Sequence, residues 1–439
     1  MGEGKITYVL AGATIIAFLF FFHRKREVRT YLLFSIYVLP FMNLLVTKVT
    51  WGGFKVFDAI TIYCIVFCFK DFMISIASSR SLVKFLLITM LALLLLSSLY
   101  SEFVTNSTLT FLELLPLFIY VSLLAAECRR DEFFFYKVIK ALKYMYVVAL
   151  GFLLIQLVVG LNFTFYPDLN SNTLDVENNT IRYPGMFHDS QGHGQFLALG
   201  SFLFLFSHNN YRGEYKNIVN YSLFVLLIIG LLLTGSRSAL GGFLVALIIF
   251  VVSSSSKFRL YFVALCMICV SLFSTLASEF PNLRRLNNVS EDYKFRQKIW
   301  AEAYRISENN PVLGIGLGNF QSYTKRHNQD LYLEIGEEIL FFDQPESGYL
   351  KILSETGFFS FLLFLLLIAY CVIRAIKKCV QSSEAKVSAV LLCSLVSWLI
   401  AFNTVYTLFD IRISIVVITI MVILATISMN KYFVYESSK

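Results

Sequence analysis

Charge is scarce in this sequence. Only 15% of its 439 residues are Asp, Glu, Lys or Arg, against 57% hydrophobic, and mean hydropathy is +0.69. That is too little charge to coat a soluble protein, so the composition specifies an all-α polytopic membrane protein. The basic excess, +8 in formal charge, is scattered in short clusters between apolar runs, which excludes nucleic acid as a partner. Cysteine is missing from the one long polar stretch, Ser278 to Ser347; the eight cysteines lie within apolar segments or beside basic clusters. Neither a disulfide framework nor zinc is expected, and Cys64/Cys68 and Cys266/Cys269 read as small apolar residues on buried helices. Internal repeats, low-complexity tracts and a separate soluble domain are also lacking. A glycolipid flippase or transporter would carry charges deep in several spans and often an internal repeat, so this composition weighs against one.

What the sequence does have is apolar runs, at about 8–22, 31–47, 56–69, 85–100, 109–126, 144–162, 193–207, 218–234, 239–252, 260–277, 349–373, 387–402 and 411–428. They predict 12 or 13 spans in a single integral membrane domain covering 1–439. The first run precedes His23-Arg24-Lys25-Arg26, the reverse of a secretory signal, and reads as a retained span. With the loop after that span inside, alternation puts 22 of the 37 Lys and Arg on the inner face and seven outside or at span ends, leaving eight in the long loop. The 162–192 loop, the Gly235-Ser236-Arg237-Ser238 turn and the 278–347 loop then all emerge on the outer face.

Chemistry is expected there. Arg237, within LLLTGSRSALGGFLVAL, costs about 2.5 to 3.5 kcal/mol at a span centre, so it belongs at a span end or polar cavity. Beside small residues it could offer a guanidinium fork to a phosphate, or simply snorkel. Arg182, next to Tyr183-Pro184-Gly185, suits an anion or sugar contact. His188, Asp189 and His193 could be imagined as metal ligands, but no further Cys or carboxylate completes a coordination set. In the long loop, Phe295, Ile299, Ala303 and Ile306 fall at helical spacing and predict an amphipathic helix on or near the membrane, bearing Arg296 and Arg305. Asn309-Asn310-Pro311 ends it, and Gly314-Ile315-Gly316-Leu317-Gly318 makes a tight turn that lacks the lysine of a phosphate loop. Glu346 and Glu355 flank the following span, roughly 13 Å apart on a continuous helix, too far for a carboxylate pair. Glu346, at the water boundary, is the better candidate for activating a hydroxyl, while Glu355 would pair with an arginine or with polar backbone.

The order of GSRSALGGFL (235–244), FRQKIWAEAYRISENNPVLGIGLGNF (295–320) and PESGYLKILSETGFFSFL (345–362) resembles the O-antigen ligase and polymerase superfamily, and RYPGMFHDSQGHGQF is similar to its segment before a mid-chain span. The resemblance implies a GT-C-like, metal-independent, cofactor-free glycosyltransferase of a bacterial inner membrane, acting at the periplasmic face. Its partners would be undecaprenyl-diphosphate-linked donor and acceptor glycans in the bilayer, with a chain-length regulator as a further partner. On that pattern Arg237 and Arg296 match diphosphate-handling arginines, and Arg305 to Gly316 resembles the spacing of polymerase loops. Tyr349 and Glu355 fall in a matching stretch, and with Arg182, His188 and Arg305 they make up the expected substrate contacts. The ligases resembled carry His-Asn where this chain has Glu346-Ser347. That departure favours a repeat-unit polymerase over a ligase, with Glu346, Arg237 and Arg296 as catalytic residues.

Overall fold

The structure is a computed structural model and describes residues 3–49, 52–77, 81–131, 133–166, 174–175, 180–206, 214–253, 289–328, 332–335, 338–342, 344–381 and 385–426. Six helices are long and apolar enough to cross a membrane: Thr7–Lys25, Val56–Ala77, Leu82–Leu99, Val104–Arg130, Phe134–Val159 and Gly348–Cys379. Four shorter apolar helices, Ile218–Leu233, Arg237–Ser253, Lys386–Phe402 and Ile411–Thr426, accompany them. Large apolar side chains such as Ile16, Val66, Val158 and Ile248 are exposed along these helices, as a lipid-facing surface requires. The chain is an all-α polytopic membrane protein. The strands among the described residues form three short antiparallel hairpins.

Helices are numbered in chain order: α1 Glu3–Lys25, α2 Val28–Tyr37, α3 Leu39–Met42, α4 Val56–Ala77, α5 Ser81–Leu99, α6 Val104–Arg130, α7 Phe134–Val159, α8 Ser190–Ser201, α9 Glu214–Leu233, α10 Arg237–Ser253, α11 Val289–Asn309, α12 Phe320–His327, α13 Gly348–Gln381, α14 Ala385–Phe402 and α15 Ile411–Thr426.

Two apolar runs expected to be single spans are divided between separate elements. The 31–47 run divides at Val38, just before Pro40, into α2 and α3, and then enters a β-hairpin, Leu45–Val49 with Gly52–Lys55. Proline has no amide hydrogen to continue a helix ladder. The segment still travels beside α4, because Cys68 Sγ meets Arg26 O at 3.9 Å and Val56 N donates to Leu44 O at 3.0 Å. The 193–207 run is α8 followed by a 3-10 turn, Phe202–Leu205. The chain from Gly185 to Phe206 runs along α7, from Gln156, which accepts from Gly185 N, to Lys143, which donates to Phe206 O. Both therefore traverse the helices they pack on without forming one continuous helix. The 260–277 run lies outside the described residues.

The chain folds as two compact units, each discontinuous in sequence: Met1–Val138, Tyr293–Ile373 and Phe402–Ile427 make the first, and Ile139–Asp292, Arg374–Ala401 and Ser428–Lys439 the second. In the first, α6 packs on α4, α5 and α15, with Tyr120 and Thr419 hydroxyls 3.0 Å apart and Tyr31 and Thr61 hydroxyls 2.8 Å apart in its interior. In the second, α8 is buried between α7, α9 and α10. Gly200 lets Tyr146 lie on it, and the Tyr146 hydroxyl donates to Phe196 O at 3.0 Å.

Candidate functional site

In the first unit, α11 presents Ile299, Ala303 and Ile306 at the expected spacing. These residues are buried with Ile315 and Phe320, against Tyr323, Phe342 and Leu350. The apolar face thus packs on protein, where the sequence suggested a membrane surface. Packing this face turns Arg296 toward the chain preceding α13. There its Nη2 lies 3.4 Å from Glu346 Oε2, and Trp300 Nε1 donates to Glu346 O at 3.3 Å. Glu346 adopts φ +49°. A left-handed glutamate is costly, roughly 1–2 kcal/mol, and such residues concentrate where a side chain must be aimed.

The glycine turn explains Glu355. Gly314, Gly316 and Gly318 have φ of +68°, +94° and +71°. This conformation delivers the amides of Gly318 and Phe320 to the two Glu355 carboxylate oxygens, at 2.9 and 3.2 Å, and the Gly316 amide to the Glu355 carbonyl at 2.8 Å. Lys351 Nζ stands 3.8 Å from the same carboxylate, over the rings of Tyr406 and Phe409. Two residues later Gly357, at φ +78°, breaks α13. Glu355 therefore holds the turn to the first segment of α13, and of the partners the sequence offered, polar backbone is the one it takes. Tyr349 packs edge-on to Phe402. Arg305 is mostly exposed and grips Glu302 through two hydrogen bonds of 2.9 and 2.7 Å, which hold its guanidinium above the usual range.

In the second unit, Arg182 is buried, its Nε donating to Thr234 O at 3.3 Å. Its side chain lies against Gly235, whose φ of +62° turns the chain into Ser236 and Arg237, the first residue of α10. Asp189 caps α8 by accepting from Gly192 N at 3.2 Å. His193 is buried, stacked on Phe187, with Nδ1 3.2 Å from Tyr183 O; His188 is exposed and edge-on to Tyr166. Among the described residues, no group of three or more His, Cys, Asp or Glu is placed to hold a metal ion. The structure thus joins Arg296 to Glu346, and Arg182 to the turn that begins α10.

Residues 222–365 match the family described as O-antigen ligase. Over that range the chain is similar to the O-antigen ligase and polymerase superfamily. Members of this superfamily are glycosyltransferase-like enzymes that act on lipid-linked glycans in the membrane. The matched range contains Arg237, Arg296, Arg305, Glu346, Tyr349 and Glu355, whereas Arg182 and His188 precede it. No curated protein matches the chain at a significant level.

Several site-forming residues escape a reading by pattern. Trp300 anchors the Glu346 backbone, and Asn319, between Asn106 at 2.6 Å and Ser101 at 2.6 Å, ties the glycine turn to the first unit's helices. Gln156 is the exception that a signal could have found. It is a lone amide inside an apolar span, and it holds both Gly185 N and Phe163 O.

Proposed function

We propose that this protein is a repeat-unit polymerase that joins glycans carried on undecaprenyl diphosphate, at the periplasmic face of a bacterial inner membrane. The observation that carries this reading is Glu346, held in a left-handed conformation with its carboxylate beside Arg296, at the place where the ligases resembled have a histidine. A terminal hydroxyl of one lipid-linked repeat attacks the anomeric carbon of a second. Its proton passes to the Glu346 carboxylate as the new C–O bond forms. The bond from anomeric carbon to diphosphate breaks with inversion, and the electron pair leaves with the lipid diphosphate. Arg296 and Arg237 stabilise the charge that builds there, with Arg182 and Arg305 as further contacts. Two guanidinium groups supply the electrophilic assistance that a metal ion gives in other transferases. Tyr349, His188 and Glu355 complete the proposed substrate surroundings, Glu355 by fixing the turn.

The ligase reading is favoured by the description of the matching family. The products separate the two. A deletion strain analysed for surface polysaccharide by gel should show single repeats capping the lipid acceptor if the chain polymerises, whereas long polymer retained on the carrier lipid would establish the ligase instead. Polymer ladders unchanged from the parent strain would rule out both.

A further inference from the structure

Among the described residues, Asp189 Oδ1, Ser190 Oγ and Ser236 Oγ of the second unit are buried with no hydrogen-bond partner. Ser190 and Ser236 are 1% and 4% exposed. Asp189 and Ser190 sit where α8 begins, and Ser236 sits where α10 begins. The two starts adjoin, because a Cβ on Gly194, one turn after Ser190, would fall 2.5 Å from Ser236 Cβ and 3.1 Å from its Oγ. Arg182 lies against Gly235 in the same turn, and its charge acts on the Asp189 carboxyl. A single buried polar atom without a partner costs about 1 to 3 kcal/mol, so three in one neighbourhood imply a group that binds them.

The donor set selects the chemistry of that group. Two helix starts and an arginine would welcome an anion. An unpartnered carboxylate oxygen would repel it. A neutral polyol satisfies all three atoms, since one hydroxyl donates to Asp189 Oδ1 while others exchange hydrogen bonds with Ser190 and Ser236. We infer that Asp189, Ser190 and Ser236 form a sugar-hydroxyl subsite, which reads the glycan of the lipid-linked substrate and leaves its diphosphate to the arginines. The inference rests on the proposed function for the identity of the ligand.

The test uses the full-length protein in lipid nanodiscs. It is titrated with lipid-linked glycan extracted from the deletion strain, and in parallel with undecaprenyl diphosphate that carries no sugar. Wild-type protein should bind the glycan lipid more tightly. Asp189→Asn and Ser236→Ala should each weaken that binding by about tenfold while leaving the sugarless lipid within about twofold of wild type. Asparagine still accepts from Gly192 N, so Asp189→Asn keeps the cap, and melting temperatures no lower than wild type for both variants exclude misfolding. Variants that bind both lipids as wild type does would show that the atoms hold water only and overturn the subsite. Equal weakening for both lipids would overturn it too, in favour of an anion site. Wild-type protein that does not distinguish the lipids would sink the functional reading itself, a different and recognisable failure.

Discussion

Arg296 Nη2 lies 3.4 Å from Glu346 Oε2 across fifty residues of sequence, and the glutamate that receives it is held at φ +49°. Both side chains are about a quarter exposed, so water screens the pair and little stability depends on it. Under the proposed function its importance is catalytic. Arg296→Ala removes a positioned cation from a developing diphosphate charge and should lower polymer formation by about 10² to 10³-fold. Glu346→Gln removes the proton acceptor and should cost about 10² to 10⁴-fold. In gels of surface polysaccharide both strains should carry single repeats, and long chains at parental levels in both would refute the assignment.

Backbone strain at Glu346 offers a separate test, because strain and chemistry respond oppositely to one substitution. Glycine accepts a positive φ without the Cβ penalty, although it loses more entropy on folding. Glu346→Gly should melt no lower than wild type, with a gain of up to about 1 kcal/mol, while polymer disappears. A lower melting temperature would mean that the glutamate holds the fold together.

Glu355 should behave in the contrary way. Its carboxylate satisfies two buried backbone amides and faces the Lys351 ammonium. Glutamine keeps one acceptor oxygen and turns an NH2 toward donors. Glu355→Gln should cost about 2 to 4 kcal/mol through unsatisfied buried groups, seen as a lower melting temperature in detergent and less protein in membranes. Wild-type stability with lost activity would instead make Glu355 a substrate contact.

How much of this is legible in the sequence depends on whether one local period suffices. The spacing of Ile299, Ala303 and Ile306 specifies α11 and its buried face, and the alternation of apolar runs with basic loops specifies a polytopic helical protein. What covers that face is another matter, since the pattern states only that it is apolar; protein covers it here. Pro40 divides a run whose hydropathy alone looks continuous. The Arg296 and Glu346 contact depends on a glycine turn, a helix and a β-hairpin intervening between them, and no periodicity relates residues so separated. Glu355 is ambiguous between arginine and backbone in the sequence because the glycines reveal a turn without showing where its amides point.

Gly241 and Gly242 make a pair of neighbours with opposite expectations. A Cβ on Gly241 meets nothing within 4 Å, whereas one on Gly242 would fall 2.3 Å from Ser397 O, a backbone atom that cannot step aside. Gly241→Ala should be neutral or stabilise α10 by about 0.5 to 1 kcal/mol. Gly242→Ala must push α10 away from α14, and should lower the melting temperature and the membrane yield. Equal effects of the two substitutions would contradict this packing.

Burial raises the pKa of Asp189 above the ordinary aspartate value, and the amides of Gln191 and Gly192 and the charge of Arg182 only partly offset it. The folded chain therefore holds a proton on this carboxyl at pH values where the unfolded chain has released it. Stability falls with rising pH wherever the folded state binds more protons. Asp189 should thus contribute a loss that begins near the unfolded value, about pH 4, and is complete above the raised folded value. An asparagine side chain cannot ionise, so the Asp189→Asn variant lacks that component. Melting curves of wild type and variant taken from acid to neutral pH should lie closest at the acid end and diverge as pH rises, the variant becoming relatively more stable. Curves that stay parallel would mean that the carboxyl is solvated and its environment polar, which would also remove the buried, unpartnered oxygen on which the sugar subsite depends.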